Sequence, residues 1–371
     1  MITVLFYLHL LIDIYANHTY ILNDSNNNDN HNVKEQHVNR TTFNNHQNDT
    51  DDDDDSLLWL QWKILHHKNY STYKEYNEHR ENWRNNLYSI KKHNSMHDQG
   101  LELYTTGLNQ FSDLNWSDIN ALYLTNLSQY STNRSHQQVG EVLLKQPFNE
   151  TTPLKEIPNS WDWRKLGIVS KVKLQGECGA CWAFSAAGAL EGQLRNKTGS
   201  FVELSSQQLI DCSHSFGNHG CLGGEMKNAF RYVEKDGIQT EESYPYLTKE
   251  SKCQHSKSTS LTYSKSIIEI ELNNEEQLKT VLYEHGPVSA GINVEPQFIR
   301  YKNGIYQSQS CSSTDVNHAV LIVGFGEENG IQYWIVKNSW GTSWGEDGYV
   351  RIRRNYNNMC GIATMASVPK L

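Results

Sequence analysis

The chain has 371 residues and a formal net charge of −9, and all seven of its cysteines lie after residue 177. The acidity belongs to residues 1–156, which hold 20 Asp and Glu against 12 Lys and Arg, whereas residues 157–371 are close to neutral. Nucleic-acid binding needs a basic face, which neither part offers, so the composition argues against that class of partner.

The chain begins with an apolar run that ends near Ala16. The run is short for a bilayer span and has the length of a signal-peptide core, so residues 1–16 are predicted to be a signal peptide, with an uncleaved anchor as the alternative. Glycosylation sequons support entry into the secretory pathway, with lysosomal, endosomal or extracellular delivery. The sequons begin at Asn17, Asn23, Asn39, Asn48, Asn69, Asn115, Asn126, Asn133, Asn149 and Asn196.

Residues 17–56 are dominated by Asn, Asp and His and end in the acidic run 51–55. They contain few apolar side chains and no periodicity, so burial cannot offset the entropy that folding would cost. We predict a disordered extension. The alternative, a metal-chelating tract, has no ligand spacing to support it.

Residues 57–124 differ in character and predict a small helical domain. An apolar cluster at 57–65 precedes Tyr73 to Asn94, whose apolar residues recur at helical spacing among many charges. Ser117 is a plausible cap for a further helix that ends at Leu124. Residues 125–156 are rich in Ser, Thr and Asn and are predicted to be a linker.

Residues 157–371 contain a helical half followed by a β-rich half, which predicts an α+β fold with two lobes. Helices are predicted after residue 181, from Ser205 or Ser206 to Cys212, and from Glu225 to Asp236. The strand-like segments are 288–292, 319–323, 332–336 and 348–352.

Cys181 begins a run of small and apolar residues that is typical of a tightly packed helix. A thiol at a helix N-terminus feels the positive end of the macrodipole, which favours the nucleophilic thiolate. Gln175 offers an amide that could reach a developing oxyanion. An odd cysteine count in a secreted protein suggests six bridged cysteines and one free thiol, and the six allow 15 pairings. Taken alone, Cys178 and Cys181 could equally be a redox or zinc pair.

Two further residues complete a possible catalytic group. His318 stands just before one apolar strand, and Asn338 follows the next strand. A thiol protease needs a base and a group that orients the base, and neighbouring strands would bring these two together. Trp340 would shield their hydrogen bond from water.

These motifs resemble those of the papain-family cysteine protease precursors, most closely the cathepsin L branch. Residues 178–182 match the family signature Cys-Gly-[Ser/Ala]-Cys-[Trp/Tyr], with His and Asn downstream. The resemblance covers about residues 57–371. It implies a papain-like domain at 157–371, with a helical left lobe and a β-barrel-like right lobe, after a helical propeptide domain at 57–124.

The resemblance also implies site residues. Cys181 would be the nucleophile of an endopeptidase that needs no cofactor, His318 its base and Asn338 the group that orients the base, while Gln175 and the Cys181 N–H would form the oxyanion hole. The implied disulfides are Cys178–Cys221, Cys212–Cys253 and Cys311–Cys360. The implied substrate-binding residues are Gly223, Gly224, Met226, Gly291, Val316, Ala319, Met365 and Trp344. An apolar P2 pocket predicts a preference for Leu, Val or Phe, although Glu225 stands at its rim where an apolar residue is usual.

By the same resemblance the upstream domain is an inhibitory propeptide, removed near residues 155–159 and loosened when acid protonates carboxylates such as Asp113. His79 stands where the family usually has Arg. The matching motif residues are Glu75, Trp83, Asn86, Ile90, Asn94, Gly107, Asn109, Phe111 and Asp113.

The implied partners are protein and peptide substrates, the chain's own propeptide and cystatin-like inhibitors. The resemblance also implies a monomer whose mature form has no membrane span.

Two other classes of protein are alternatives to an active peptidase. A catalytically silent papain-like binding module is disfavoured by the intact catalytic residues, and a Cys/His metal-binding domain would need a second paired ligand group.

Overall fold

A computed structural model describes residues 47–130 and 156–371. The predicted signal peptide, most of the extension and most of the linker lie outside these ranges. Residues 55–371 form one compact unit; of the preceding unit, only the first turns of a helix are described. No helix in the described ranges is long and apolar enough to cross a membrane.

The N-terminal module contains three helices. They are α1 (Gln47–Leu65), α2 (Tyr73–Asp98) and α3 (Trp116–Leu122). Helix α2 confirms the predicted amphipathic helix and buries Trp83, Leu87 and Ile90 along one face. The Trp83 indole packs against Trp59 and Trp62 of α1, with ring centroids 5.4 and 6.4 Å away, which gives the module its own small core.

Two predictions for this module are wrong in detail. Because α1 begins at Gln47, the last ten residues of the predicted disordered extension are helical; acidic residues in the first turns of a helix interact favourably with its macrodipole. Helix α3 is capped by Asn115 rather than Ser117, because the Asn115 side chain accepts from the Asp118 N–H in a reciprocal capping box.

The helices of the C-terminal domain follow the predicted order. They are α4 (Cys181–Thr198), α5 (Ser206–Cys212), α6 (Met226–Asp236), α7 (Glu275–His285) and the single turn α8 (Pro296–Ile299). Ser205 is the cap of α5, since its hydroxyl accepts from the Gln208 N–H at 2.9 Å.

The described strands form one mixed sheet. They are β1 (Tyr104–Thr106), β2 (Trp161–Asp162), β3 (Ser266–Glu269), β4 (Val288–Ile292), β5 (Tyr301–Tyr306), β6 (His318–Glu328), β7 (Ile331–Lys337), β8 (Tyr349–Arg353) and β9 (Ala366–Lys370). Their order is β1-β5-β8-β7-β6-β4-β9-β3, with β2 also paired to β6.

The expectation of a barrel-like right lobe is wrong, because the described strands remain an open sheet with β1 and β3 at its two ends. Strand β1 belongs to the N-terminal module and pairs antiparallel with β5 of the following domain. The module therefore extends the sheet of the domain that it covers.

The domain has two buried hydrophobic clusters, as the two-lobe prediction requires. One is formed mainly by the sheet and α7, and the other by α4, α5 and α6 with residues from β6 and β7. Three disulfides join Cys178 to Cys221, Cys212 to Cys253 and Cys311 to Cys360, the pairs that the resemblance implies. Cys178 is thus a bridge residue and not a zinc ligand.

Candidate active site

The free thiol of Cys181 stands at the first residue of α4. The helix lies directly on β6: a Cβ added at Gly188 would come within 2.8 Å of Leu321, and the Ser185 hydroxyl donates to the Val320 carbonyl at 2.7 Å. Small residues on α4 allow this close approach. As a result, the backbone of Ala319, next to His318, lies near enough to the Cys181 sulfur to lower the pKa of the thiol.

His318 and Asn338 meet as the strand pattern predicted. Strands β6 and β7 are antiparallel neighbours, and His318 Nε2 lies 2.8 Å from Asn338 Oδ1. Since Oδ1 also accepts from the Ser339 N–H at 2.8 Å, it is the acceptor, and His318 carries its proton on Nε2. The lone pair on Nδ1 is then free to accept a proton. The Trp340 ring covers the imidazole, with centroids 4.6 Å apart.

Burial holds both catalytic candidates in their neutral forms. Cys181 and His318 have no solvent-exposed surface. Burial raises the pKa of Cys181 to about 11, although backbone N–H groups act in the opposite direction. Burial also lowers the pKa of His318 to about 4, and the bond to Asn338 opposes this only in part. The covered site therefore holds a thiol and an uncharged imidazole.

Gln175 is fixed at both its backbone and its side chain. Its N–H donates to the Ser339 carbonyl at 2.8 Å, and its Oε1 accepts from the Ser339 hydroxyl at 2.7 Å. Its Nε2 donates to the Cys178 carbonyl at 2.9 Å and to the Tyr123 carbonyl at 3.3 Å. One of the two backbone carbonyls that Gln175 Nε2 binds, that of Tyr123, therefore belongs to the N-terminal module.

Residues 123–128 of that module, the strap, run across the site. The Thr125 N–H donates to the Asn317 carbonyl at 2.8 Å, and the Leu127 N–H donates to the Val316 carbonyl at 3.0 Å. On the other lobe, the Thr125 hydroxyl donates to the Leu222 carbonyl at 3.0 Å. The strap therefore binds one lobe through its backbone and the other through the Thr125 hydroxyl.

Leu127 in the strap has no exposed surface. It belongs to the same hydrophobic cluster as the predicted pocket residues Met226, Val316, Ala319 and Met365. The predicted Gly291 lies there as well, because a Cβ added to it would approach Val316 within 3.0 Å and Met365 within 3.3 Å.

The remaining predicted substrate-binding residues are also placed. Gly224 packs against the Trp182 ring, which a Cβ would approach within 2.8 Å, and Gly223 has a φ of +126° that favours glycine. Trp344 is buried beneath Trp340, with ring centroids 5.1 Å apart, and its indole donates to the Ile299 carbonyl. A direct contact of Trp344 with substrate stays a prediction.

The matched residues of the N-terminal module hold it on the domain. Asn86 accepts from Arg300 at 2.7 Å, and the Asn109 amide donates to the Ile299 carbonyl at 2.7 Å. The Phe111 ring packs edge-on against Trp340, with centroids 5.3 Å apart, and so covers the indole that covers His318. Within the module, Glu75 helps to cap α2, and Asn94 binds both the N–H and the carbonyl of Thr106. A Cβ at Gly107 would lie 2.7 Å from the Lys302 side chain.

Asp113 is buried within a small polar cluster. Its carboxylate accepts from Lys68 Nζ at 2.8 Å and from the Tyr70 hydroxyl at 2.9 Å. His79 lies against it, with Nδ1 2.9 Å from the Asp113 carbonyl and 3.4 Å from Oδ2. The neighbouring Arg80 turns away to Ser56. His79 therefore occupies the place beside Asp113 where the resemblance led us to expect an arginine.

Sequence reasoning missed the strap residues and the groups that fix Gln175. Ser339 directly follows Asn338, but nothing in the sequence indicates the contact of its hydroxyl with Gln175. Tyr246 belongs to no motif of the catalytic group, and its hydroxyl donates to the Gln175 carbonyl. Both contacts join segments far apart in sequence.

The site contains a lone thiol at a helix N-terminus and an imidazole that an asparagine orients, and an N-terminal module covers it. These features define the precursor of a thiol peptidase. Residues 157–370 match the papain family cysteine proteases, and residues 59–119 match the cathepsin propeptide inhibitor domain. The chain belongs to the papain family, as a cathepsin L-like cysteine protease precursor with its own propeptide inhibitor domain.

Relatives and solved structures agree. The chain is 44% identical to a cathepsin L-like proteinase of Fasciola hepatica over 313 residues, which cover 84% of this chain and 92% of the relative. It is 41% identical to a cathepsin L-like peptidase of Aedes aegypti over 315 residues, with the same coverage. The structure of digestive procathepsin L 3 from the larval midgut of Tenebrio molitor matches 85% of this chain and 99% of its own, with a TM-score of 0.75 and 38% identity.

Proposed function

We propose that Cys181, His318, Asn338 and Gln175 are the catalytic residues of an endopeptidase. The single observation that carries this is the His318–Asn338 pair at 2.8 Å, at the start of strand β6, on which the helix that begins at Cys181 lies. That arrangement supplies a nucleophile, a base with its proton on the far nitrogen, and a group that fixes the tautomer.

The reaction follows from these positions. His318 Nδ1 takes the Cys181 proton, and the sulfur attacks the peptide carbonyl carbon to form a tetrahedral intermediate. The carbonyl oxygen gains negative charge, which Gln175 Nε2 and the Cys181 N–H stabilise. The imidazolium gives its proton to the departing amine, leaving a thioester. Water, deprotonated by His318, then attacks the thioester and releases the acid and the thiol.

We propose a preference for Leu, Val or Phe at P2. Leu127 of the strap is fully buried and belongs to the same hydrophobic cluster as Met226, Val316, Ala319 and Met365, which supports an aliphatic side chain as the natural occupant of this pocket. Glu225 lies at the rim, but its carboxylate is 3.7 Å from Lys227 Nζ, which offsets its charge. Faster cleavage of peptides with Arg at P2 than of peptides with Leu at P2 would overturn this assignment.

We propose that the strap holds the precursor inactive by occupying the cleft, with the Tyr123 carbonyl on the oxyanion donor and Leu127 in the P2 pocket. Six backbone or side-chain hydrogen bonds between residues 123–128 and the described part of the domain support this. Removal near residues 155–159 would then open the site.

The three disulfides fit passage through the secretory pathway. We propose delivery to lysosomes, endosomes or the exterior after signal-peptide removal, with glycans at exposed sequons such as Asn196. The corresponding test measures the apparent mass of the secreted mature enzyme on a gel. Glycosidase treatment should lower this mass, and the Asn196→Gln variant should show no such change.

The decisive experiment matures the precursor at acidic pH and treats it with a thiol-reactive peptidyl epoxide. We expect one label per chain, peptide cleavage that stops on labelling, and neither in Cys181→Ala. A peptide library varied at P1 to P4, read by sequencing the new N-termini, gives the P2 preference. Substrate binding without cleavage or labelling in the unaltered chain would instead favour the silent binding module.

A further inference from the structure

Tyr246 joins the two elements that make the oxyanion hole. Its hydroxyl donates to the backbone carbonyl of Gln175. Its ring packs edge-on against Phe184, with centroids 4.8 Å apart and an interplanar angle of 81°. Phe184 lies one turn along α4 from Cys181, so a single tyrosine contacts both the loop of the side-chain donor and the helix of the backbone donor.

On one side Ser339 holds both the backbone N–H and the side-chain Oε1 of Gln175. On the other side the chain turns at Gly176, which has a φ of +62° and lies in the left-handed region. The Gln175 carbonyl is at this turn, where it accepts a hydrogen bond from the Tyr246 hydroxyl.

Tyr246 is itself held firmly enough to act as an anchor. Its backbone N–H donates to the Glu241 carboxylate at 3.0 Å, and that carboxylate lies 3.8 Å from Lys173 Nζ. Burial, with help from the Glu241 charge, raises the pKa of Tyr246 above its usual range. The phenol therefore stays protonated, and able to donate, throughout the pH range in which a peptidase of this kind works.

We propose that Tyr246 is a positioning residue for catalysis: by holding the Gln175 carbonyl against α4, it sets the distance between the two oxyanion donors. This inference rests on the proposed role of Gln175. An oxyanion donor acts only when it is preorganised at the position that the developing charge will occupy, so a loop that can drift loses stabilisation of the transition state more than binding of the substrate.

The first variant is Tyr246→Phe, which keeps the ring and its contact with Phe184 and removes only the hydroxyl. Losing a whole oxyanion donor costs about 10²–10³ in kcat, so we expect loosening of one donor to lower kcat by about tenfold, with KM nearly unchanged. Active-site titration with the epoxide sets the concentration of active enzyme in every sample. This split between kcat and KM separates positioning from a loss of folded protein.

The matched control is Tyr244→Phe, two residues away in the same turn. The Tyr244 hydroxyl donates to Asp211 at 2.9 Å and is buried, so the control makes the same chemical change without touching Gln175. We expect an unchanged kcat. Equal losses of kcat in both variants would mean that the turn as a whole matters, and would overturn the proposal.

A double-mutant cycle with Gln175→Ala completes the test. If Tyr246 acts through Gln175, then Tyr246→Phe has no further effect on kcat once Gln175 is alanine. An undiminished tenfold effect in that background would overturn the positioning role while leaving Gln175 in place. If Gln175→Ala alone left kcat unchanged, the proposed oxyanion role would fail and this inference with it. Should Tyr246→Phe not mature, Phe184→Leu removes the other half of the bridge, and an unchanged kcat there would also overturn the proposal.

Discussion

Asp113→Asn is the sharpest test of how acid releases the propeptide. The substitution keeps the size of the side chain but removes the charge that accepts from Lys68 Nζ at 2.8 Å and from the Tyr70 hydroxyl at 2.9 Å. The Asp113 side chain is 2% exposed, while that of Lys68 is 23% exposed and keeps part of its hydration. The substitution therefore removes a buried charge, while its partner Lys68 is only partly buried.

The expected cost can be worked from these contacts. A hydrogen bond to a charged group contributes about 1.5–3 kcal/mol, and the amide oxygen of Asn keeps part of each bond. A loss of about 2–3 kcal/mol in the folded, docked module follows, which multiplies the population of the released state by about 30 to 150. The variant should therefore release its propeptide more readily than the wild type, so maturation should extend to higher pH.

The assay follows the appearance of mature enzyme from purified precursor between pH 4 and pH 7.5, read on gels and with a P2-Leu fluorogenic peptide. Asp98→Asn is the matched control, since Asp98 lies at the end of α2 with 80% of its side chain exposed and only His97 near it, at 3.5 Å. We expect the control to mature like the wild type. If Asp113→Asn matured with the wild-type pH dependence while its melting temperature fell, Asp113 would be a structural residue and not the acid-sensitive one.

Three further predictions concern the cleft. In the precursor, with the pKa of Cys181 at about 11, about one thiol in 10⁴ is ionised at pH 7, so iodoacetamide should alkylate it at least 100-fold more slowly than after maturation, as mass spectrometry would measure; equal rates would contradict the buried thiol. Leu127→Asp places a carboxylate in the apolar pocket and should allow maturation near neutral pH, whereas the exposed Asn126→Asp should not. Met365→Ala should raise kcat/KM for Phe relative to Leu at P2 by about fivefold, because it deepens the pocket; an unchanged ratio in the peptide library would remove Met365 from the P2 pocket.

The catalytic pair was predictable because its chemistry demands particular residue types at the ends of neighbouring strands. His318 and Asn338 needed only the apolar pattern of two strands to be placed together. The strap was not predictable in this way, because residues 123–128 carry no motif beyond the glycosylation sequon at Asn126 and owe their position to backbone bonds with Val316 and Asn317, almost 200 residues further along. Tyr246 and Ser339 escaped notice for the same reason: each acts on Gln175 through a contact that leaves no local pattern.

The opposite protonation tendencies of Cys181 and His318 explain why covering the site is enough to silence it. With pKa values of about 11 and about 4, moving the proton from sulfur to imidazole costs about 9–10 kcal/mol before the two charges attract each other. An ion pair 4 Å apart recovers about 4 kcal/mol at an effective dielectric of about 20, and the macrodipole of α4 at most about 2 kcal/mol. The neutral pair therefore remains favoured beneath the strap. We expect release of the propeptide to admit water to the site and so to reduce the burial behind both pKa shifts, which would let the same residues form the thiolate and imidazolium that the reaction needs.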